Sequence, residues 1–375
     1  MAQPEVRHAP AARGSDRRAR GHVVRLIAGV AVVAVLLGAC NGGSDDNAAS
    51  TTTKVKRTTT TTAPPPVAPF TGLADPSGVS RTLPSLGIKV ENTRESRPQT
   101  GLEHADVVWD EVVEGEITRF LAMYQSATTD VVGPVRSVRL TDPLIVWPVG
   151  GIFAYSGGAQ YAQSAIEQAP VTLLTEGSAG DGMFRDSSKR APHNLYARPD
   201  ALWAKGGQPV PPPALFRYRR AGAASPGDPA TSVRLGFDDY YAPTYTWDAA
   251  NGAWLRAQGG GPHLMRSGAQ IAPQNVVVMQ VVYAGGVGAP GAEAQLVGSG
   301  PLFVFSDGKV VRGTWSRPDK AVPAELLDAA GAPIRLTPGK TWVELPDVSY
   351  AVDITSPPPP PPTEATTTTR KKKSR

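Results

Sequence analysis

Cysteine is nearly absent from this sequence, with Cys40 the one thiol in 375 residues. An internal disulfide is therefore excluded, and so is a metal site built on several thiolates. Histidine is scarce too, and His104, His193 and His263 are scattered, so no zinc cluster and no other metal site is expected. The turn Ser156-Gly157-Gly158 is not a nucleophile elbow, because it lacks glycines two before and two after the serine. Strong charge bias is also missing where it would matter. The formal net charge of +5 is set by the chain ends, and residues 70–355 carry 24 Lys+Arg against 28 Asp+Glu. A slightly acidic folded part excludes a nucleic-acid partner. Apolar runs long enough to cross a membrane are lacking as well. Leu26 to Ala39, 14 residues, falls short of the roughly 20 that a spanning helix needs.

That short run nevertheless has a setting. Arg13, Arg17, Arg18, Arg20 and Arg25 precede it, and Leu37-Gly38-Ala39-Cys40 closes it with small residues before the thiol. The pattern is that of a secretory signal peptide over residues 1–39. Its end resembles a bacterial lipobox, which implies lipidation of Cys40 and a partner in the bacterial cell membrane, with the protein outside the cytoplasm. Lipid chains contribute about 0.8 kcal/mol per buried CH₂, so several of them on Cys40 would hold the protein on the membrane. Residues 40–69, rich in Thr and Pro, read as a disordered tether, and residues 356–375 read as a Pro/Thr-rich basic tail.

Between these ends the pattern predicts an α/β (α+β) N-terminal domain, residues 70–228, and a smaller, mainly β C-terminal domain, residues 229–355. Asp106 to Glu114 and Ile117 to Tyr124 form a hairpin signal across Gly115-Glu116. Thr141-Asp142-Pro143 reads as an N-cap with proline in the first turn. Gly151 to Ser156 reads as a buried strand leading through Gly157-Gly158 into a helix. In the second half, Asn251-Gly252 and Asp307-Gly308 mark hairpin turns, Asn275 to Tyr283 is a strongly apolar strand, and Trp342 to Leu345 is the last strand. The seven tryptophans read mainly as core.

One cluster carries most of the chemistry. Asp110, Glu111, Glu114 and Glu116 precede Arg119, and the loop GPVRSVRLTD supplies Arg136, Arg139 and Asp142. Strand alternation places Glu111 on one face and Asp110 with Glu114 on the other. Glu111, Glu114 and Asp142 are then acidic partners for a bidentate network that holds the loop. Alternatively Arg119, Arg136 and Arg139 grip an anion, for which the planar guanidinium fork is suited. Gly157 and Gly158 would add backbone donors at a helix start. His193 and Asn194, in a polar loop, either face a ligand or tie that loop down.

The stretch Glu91 to Asp142, with EGEITRFLAMY and GPVRSVR, resembles the signature of YerB-like bacterial lipoproteins, and APHNLY, QNVVVMQ and PGKTWVELP match further segments. The resemblance covers roughly residues 70–347 and implies a two-domain, exported, lipid-anchored protein of unknown function. Glu114-Gly115-Glu116 departs from the Glu-Gly-Gly usual at that turn. A remoter, fold-level similarity to the LytR-CpsA-Psr phosphotransferases would put a pyrophosphate on Arg136 and Arg139, with magnesium on Asp142 or Glu111. The catalytic set is incomplete. The expectation is therefore a non-catalytic envelope protein that binds an anionic cell-wall or lipid-linked component or a protein partner, without cofactor. Magnesium enters only with the phosphotransferase alternative, and a pure scaffold is the third reading.

Overall fold

The computed structural model describes residues 66–238 and 240–358; the signal peptide, Cys40, residues 40–65 of the tether and most of the basic tail lie outside them. The first half supplies β1 (Leu86–Glu91), β2 (Val107–Val112), β3 (Thr118–Tyr124), β4 (Ile152–Ala154), β5 (Thr172–Leu174), β6 (Met183–Arg185) and β7 (Leu195–Ala197). Four short helices accompany them: α1 (Thr141–Val146), α2 (Gln160–Ile166), α3 (Glu176–Ala179) and α4 (Pro199–Trp203). The second half is strands alone: β8 (Asp228–Pro229), β9 (Ser232–Leu235), β10 (Thr244–Asp248), β11 (Ala253–Gln258), β12 (Gly261–Pro262), β13 (Asn275–Met279), β14 (Tyr283–Ala284), β15 (Glu293–Ala294), β16 (Gly298–Ser306), β17 (Lys309–Arg317), β18 (Glu325–Asp328), β19 (Thr341–Leu345) and β20 (Val352–Thr355). An α+β first domain is thus followed by a β-rich second domain.

One sheet runs through both halves in the order β18-β17-β16-β13-β19-β2-β3-β1-β4-β5, with β8 joined to β17. The junction is the parallel pair β19 and β2, in which Glu344 lies beside Asp110 and Trp342 beside Val108. Every residue of β1, β2, β3 and β19 is buried. The reason is coverage on both sides. A second sheet, β12-β11-β10-β9-β20, packs its Tyr245 and Arg256 against one face at the junction. The stretch from Ser137 to Asp142, in the loop that carries the arginines, crosses the other face, where it meets Arg119 and Lys89. Phe120 meets Trp342 edge-on at 5.3 Å, a contact worth about 0.5–1.5 kcal/mol beyond area burial.

The turns follow their chemistry. Asp307 (φ 50) and Gly308 (φ 67) join β16 to β17 as a two-residue hairpin loop with both residues left-handed, the geometry that Asp-Gly favours. Two local expectations need correction. Thr141 is the first residue of α1 rather than its cap, because its hydroxyl instead accepts the Ala294 N–H at 3.0 Å from the second half. The apolar run Asn275 to Tyr283 is not one strand: regular pairing ends at Met279, Val281 makes an isolated parallel bridge to Asp347, and β14 begins at Tyr283, whose hydroxyl donates to Leu345 O.

Candidate functional site

Strand register sets the site. Glu91 on β1, Arg119 on β3 and Glu111 on β2 lie side by side, and antiparallel partners point to one face. Lys89, two residues before Glu91, shares that face. The loop from Gly133 to Asp142 first pairs along the edge of β1, where Glu91 N–H donates to Pro134 O and Arg136 N–H to Lys89 O about the Val90–Val135 bridge. It then turns onto that face, where Ser137 O accepts from Arg119 and Asp142 from Lys89.

Lys89 holds the base of the site. Its buried ammonium donates to Glu111 and, at 2.8 Å, to Asp142 Oδ1. Glu111 and Asp142 are therefore not partners of the arginine side chains, as the sequence suggested. Glu111 lies on β2, and Lys89 reaches its carboxyl from β1 across the intervening strand β3, while Asp142 reaches down from the start of α1 and its Oδ2 accepts the Arg139 N–H at 2.7 Å. Burial pushes the Glu111 carboxyl up to about 7; Lys89 opposes the shift and the Asp142 carboxylate adds to it. One Glu111 oxygen, Oε2, has no partner.

Above this base sit three guanidinium groups. Arg139 Nε donates to Glu114 Oε2 at 2.8 Å, and its Nη1 to Ser137 O at 3.2 Å and Val138 O at 2.9 Å. The pairing shows that alternation does not extend to Glu114. Strand β2 ends at Val112, and Glu114 lies in a 3-10 turn that brings it to the arginine side. Arg119 Nη1 donates to the same Ser137 O at 3.3 Å. Arg119 is only 6 % exposed, its Nε has no partner, and it forms no ion pair among the described residues. Burial and the like charges of Arg139 and Arg136 pull its guanidinium down to about 10. Arg136 Nε stands 3.2 Å from Glu91 Oε1 without the alignment of a hydrogen bond. Glu91 is fully buried, accepts Thr93 Oγ1–H at 3.0 Å, and places Oε2 2.9 Å from His193 Nδ1.

The structure therefore brings Arg119, Arg136, Arg139, Glu114 and His193 into one cluster with Lys89 and Glu91. Asn194 does not join it, since its side chain accepts Arg185 Nη1 at 2.8 Å. A cavity of about 360 Å³ opens between Arg139, Glu114, Ser137, Gly158 and Tyr161. Gly158 has a packing reason, because a Cβ there would come within 2.8 Å of Val138 Cγ1. Gly157 takes φ 122, a left-handed value that glycine accepts without strain. The helix after them, α2, has seven residues and contributes little dipole. Lys89 and Glu91 were missed in the sequence. They alternate with Ile88 and Val90, which reads as a strand with one wet face, and only the covering loop shows that both faces are interior.

The opposite face of β2 carries a second buried network. Arg256 Nη2 donates to Asp110 Oδ2 at 2.8 Å, Nε to Tyr245 Oη at 3.0 Å, and Nη1 to Gln258 Oε1 at 2.6 Å and His263 Nδ1 at 2.7 Å. Tyr245 Oη–H in turn donates to Glu344 Oε1 at 2.5 Å, and His263 Nε2 lies 3.1 Å from Gln99 Oε1. Burial pushes Glu344 up to about 8, with Asp110 adding to the shift, and raises Asp110 to about 6 against the pull of Arg256. Burial and Arg256 depress the His263 imidazole well below its ordinary value. Among the described residues no group of three or more His, Cys, Asp or Glu side chains is placed to hold a metal.

Two family models match the chain, the N-terminal domain of the protein of unknown function DUF3048 over residues 70–209 and its C-terminal domain over residues 233–343. The chain is 28% identical over 298 residues to a Bacillus subtilis (strain 168) protein named "Putative lipoprotein YerB", covering 76% of this chain and 87% of that one. The crystal structure of the YerB protein from Bacillus subtilis shares the fold with a TM-score of 0.66 at 24% identity, covering 76% of this chain and 99% of that one. With both of its domains matched in order and more than half of its length covered, the chain belongs to the DUF3048 family, a family of unknown function.

Proposed function

We propose that this protein is exported, anchored by lipid on Cys40 to the outer face of the bacterial cell membrane, and binds a phosphate- or pyrophosphate-bearing envelope component with its arginine loop, without covalent chemistry. The observation that carries the reading is Arg119. Its buried guanidinium shares the Ser137 carbonyl with Arg139, lies beside Arg136, and has no carboxylate of its own. Three guanidinium groups against the two carboxylates that touch them, Glu91 and Glu114, leave one positive charge for an incoming oxyanion. Guanidinium groups match phosphate oxygens with paired N–H donors and keep their charge at any relevant pH.

The scaffold reading is favoured by a different observation: Arg136 and Arg139 each already face a carboxylate. For magnesium-dependent phosphotransfer the donor set is unfavourable, because Glu111 and Asp142 share the Lys89 ammonium. One titration separates these readings. Full-length protein in detergent is titrated with a short-chain prenyl pyrophosphate at low and high salt. The binding reading expects saturable, salt-weakened binding, and Arg136→Ala lowers affinity by about tenfold or more, the loss of one charge-assisted hydrogen bond. Absence of binding at low salt leaves the scaffold, and magnesium-dependent consumption of the ligand transfers the case to phosphotransfer.

A further inference from the structure

A second cavity, of about 290 Å³, lies at the junction of the two halves and away from the arginine loop. Its walls come from Leu102, Val108 and Ile271, all buried apolar side chains, and from the Trp342 ring. Three polar groups stand among them with bonding capacity left over. Trp342 is 2 % exposed and its Nε1–H has no acceptor. Glu103 uses Oε1 to accept Ser267 Oγ–H at 2.7 Å, whereas Oε2 is buried and has no donor. Lys340 donates to the Glu103 carbonyl, and an ammonium has two further N–H groups. Burial lowers the pKa of that ammonium, against the pull of Asp106 and Glu103, so its charge is held in a partly dehydrated place.

An unused buried donor and an unused buried acceptor each cost free energy until a partner arrives, and a half-buried ammonium with donors to spare gains from a nearby anion. Apolar walls with a few convergent polar groups are also the usual form of a small-molecule site, and the volume falls at the lower end of that class. The charges specify the occupant: one cation and one anion, both at the edge of an apolar pocket.

We propose that this cavity binds a single free amino acid with an apolar side chain. Its carboxylate lies against Lys340 and the Trp342 Nε1–H, its ammonium against Glu103 Oε2, and its side chain against Leu102, Val108 and Ile271. His104, half-exposed at the rim with Nε2 4.0 Å from Glu103 Oε1, borders the opening. Because Leu102 to Val108 belong to the first half and Ile271 and Lys340 to Trp342 belong to the second, the ligand would bridge the segments that the β2–β19 pair joins.

The test uses the full-length chain with leucine, valine and phenylalanine as probes, followed by calorimetry and tryptophan fluorescence. N-acetyl-leucine lacks the ammonium and leucinamide lacks the carboxylate. The expected result is saturable binding of at least one free amino acid, with the corresponding N-acetyl and amide forms weaker by about tenfold or more, the value of one charge-assisted contact. Glu103→Gln keeps the shape of the side chain and should abolish the preference for the free ammonium while leaving the preference for the carboxylate. Lys340→Met should do the reverse, and far-UV circular dichroism verifies that both variants are folded. The proposal is overturned if none of the three amino acids binds at about 10 mM, a concentration that saturates a site of millimolar Kd. It is equally overturned if blocked and free forms bind alike, or if Glu103→Gln leaves their ratio unchanged.

Discussion

The two faces of strand β2 begin from the same material and end differently. Asp110 and Glu111 are neighbours in sequence, both are fully buried, and burial raises both carboxyls. On the Asp110 face, Arg256 spends its donors on Asp110, Tyr245, Gln258 and His263. The oxygens it leaves without a donor, Asp110 Oδ1 and Glu344 Oε2, belong to side-by-side residues that the proton held by Glu344 can join, so the charges balance inside protein. On the Glu111 face, Lys89 closes the floor, but the level above it has Arg119 with an unused Nε and two rim arginines at 14 % and 20 % side-chain exposure. A buried charge network is not in itself a sign of function, because a closed one holds two sheets together. The sign is a surplus of one charge type at the edge where solvent and ligand can enter.

The largest way to break this comparison is Arg256→Met. It leaves Asp110 beside Glu344 without the cation that lies between them, and removing one partner of a buried pair costs about 3–5 kcal/mol. Urea denaturation of the variant should show a loss in that range. A loss below about 1 kcal/mol would mean that the Asp110 face is not a closed structural network. Lys89→Met strips the cation from a second buried carboxylate pair, Glu111 and Asp142, in the same way and should cost a similar amount.

Much of this was legible in the sequence and some of it was not, for physical reasons. The hairpins at Gly115-Glu116 and Asp307-Gly308 were visible because turn residues state their own backbone needs. The loop from Gly133 to Asp142 was visible as the main concentration of arginine beside carboxylates. The pairings were not. Which carboxylate meets which cation depends on strand register and on what covers the sheet, and both are tertiary. Thus Glu111 was assigned to the arginines when Lys89, twenty-two residues earlier, holds it. Asp110 and Glu344 likewise give no sign in sequence of lying side by side, because the parallel β2–β19 pair joins strands more than 200 residues apart.

The pH dependence sharpens the comparison at intermediate size. Glu344 rises from 4.5 to about 8 on folding, so the folded chain keeps this proton longer than the unfolded chain. The stability that Glu344 contributes is complete below about 4.5 and is lost as pH rises towards about 8. Asp110 acts likewise between 3.8 and about 6. His263, depressed from 6.5, acts in the opposite sense, and its contribution is lost as pH falls below 6.5. Between pH 6.5 and 8 the His263 and Asp110 contributions are level, so unfolding free energy should fall with pH, steeply in the wild type and less so in Glu344→Gln. Equal slopes in the two proteins would mean that Glu344 is ionised in the folded chain throughout.

The smallest effect on stability is expected at the rim, where Glu114 pairs with Arg139 at 35 % and 14 % side-chain exposure. Partly exposed pairs of this kind contribute about 0–1 kcal/mol, so Glu114→Gln should hardly move the denaturation midpoint. Its effect on binding should be of the opposite sign and larger. The substitution removes the carboxylate that competes for Arg139 and raises the surplus positive charge around Ser137 O from one to two, so an oxyanion should bind several-fold more tightly, most clearly at low salt. Stability and affinity then separate on the Glu111 face, which is what the proposed anion site requires. A large stability loss with no gain in affinity would make Glu114–Arg139 a structural pair like Asp110–Arg256, and the two faces of β2 would carry the same kind of network.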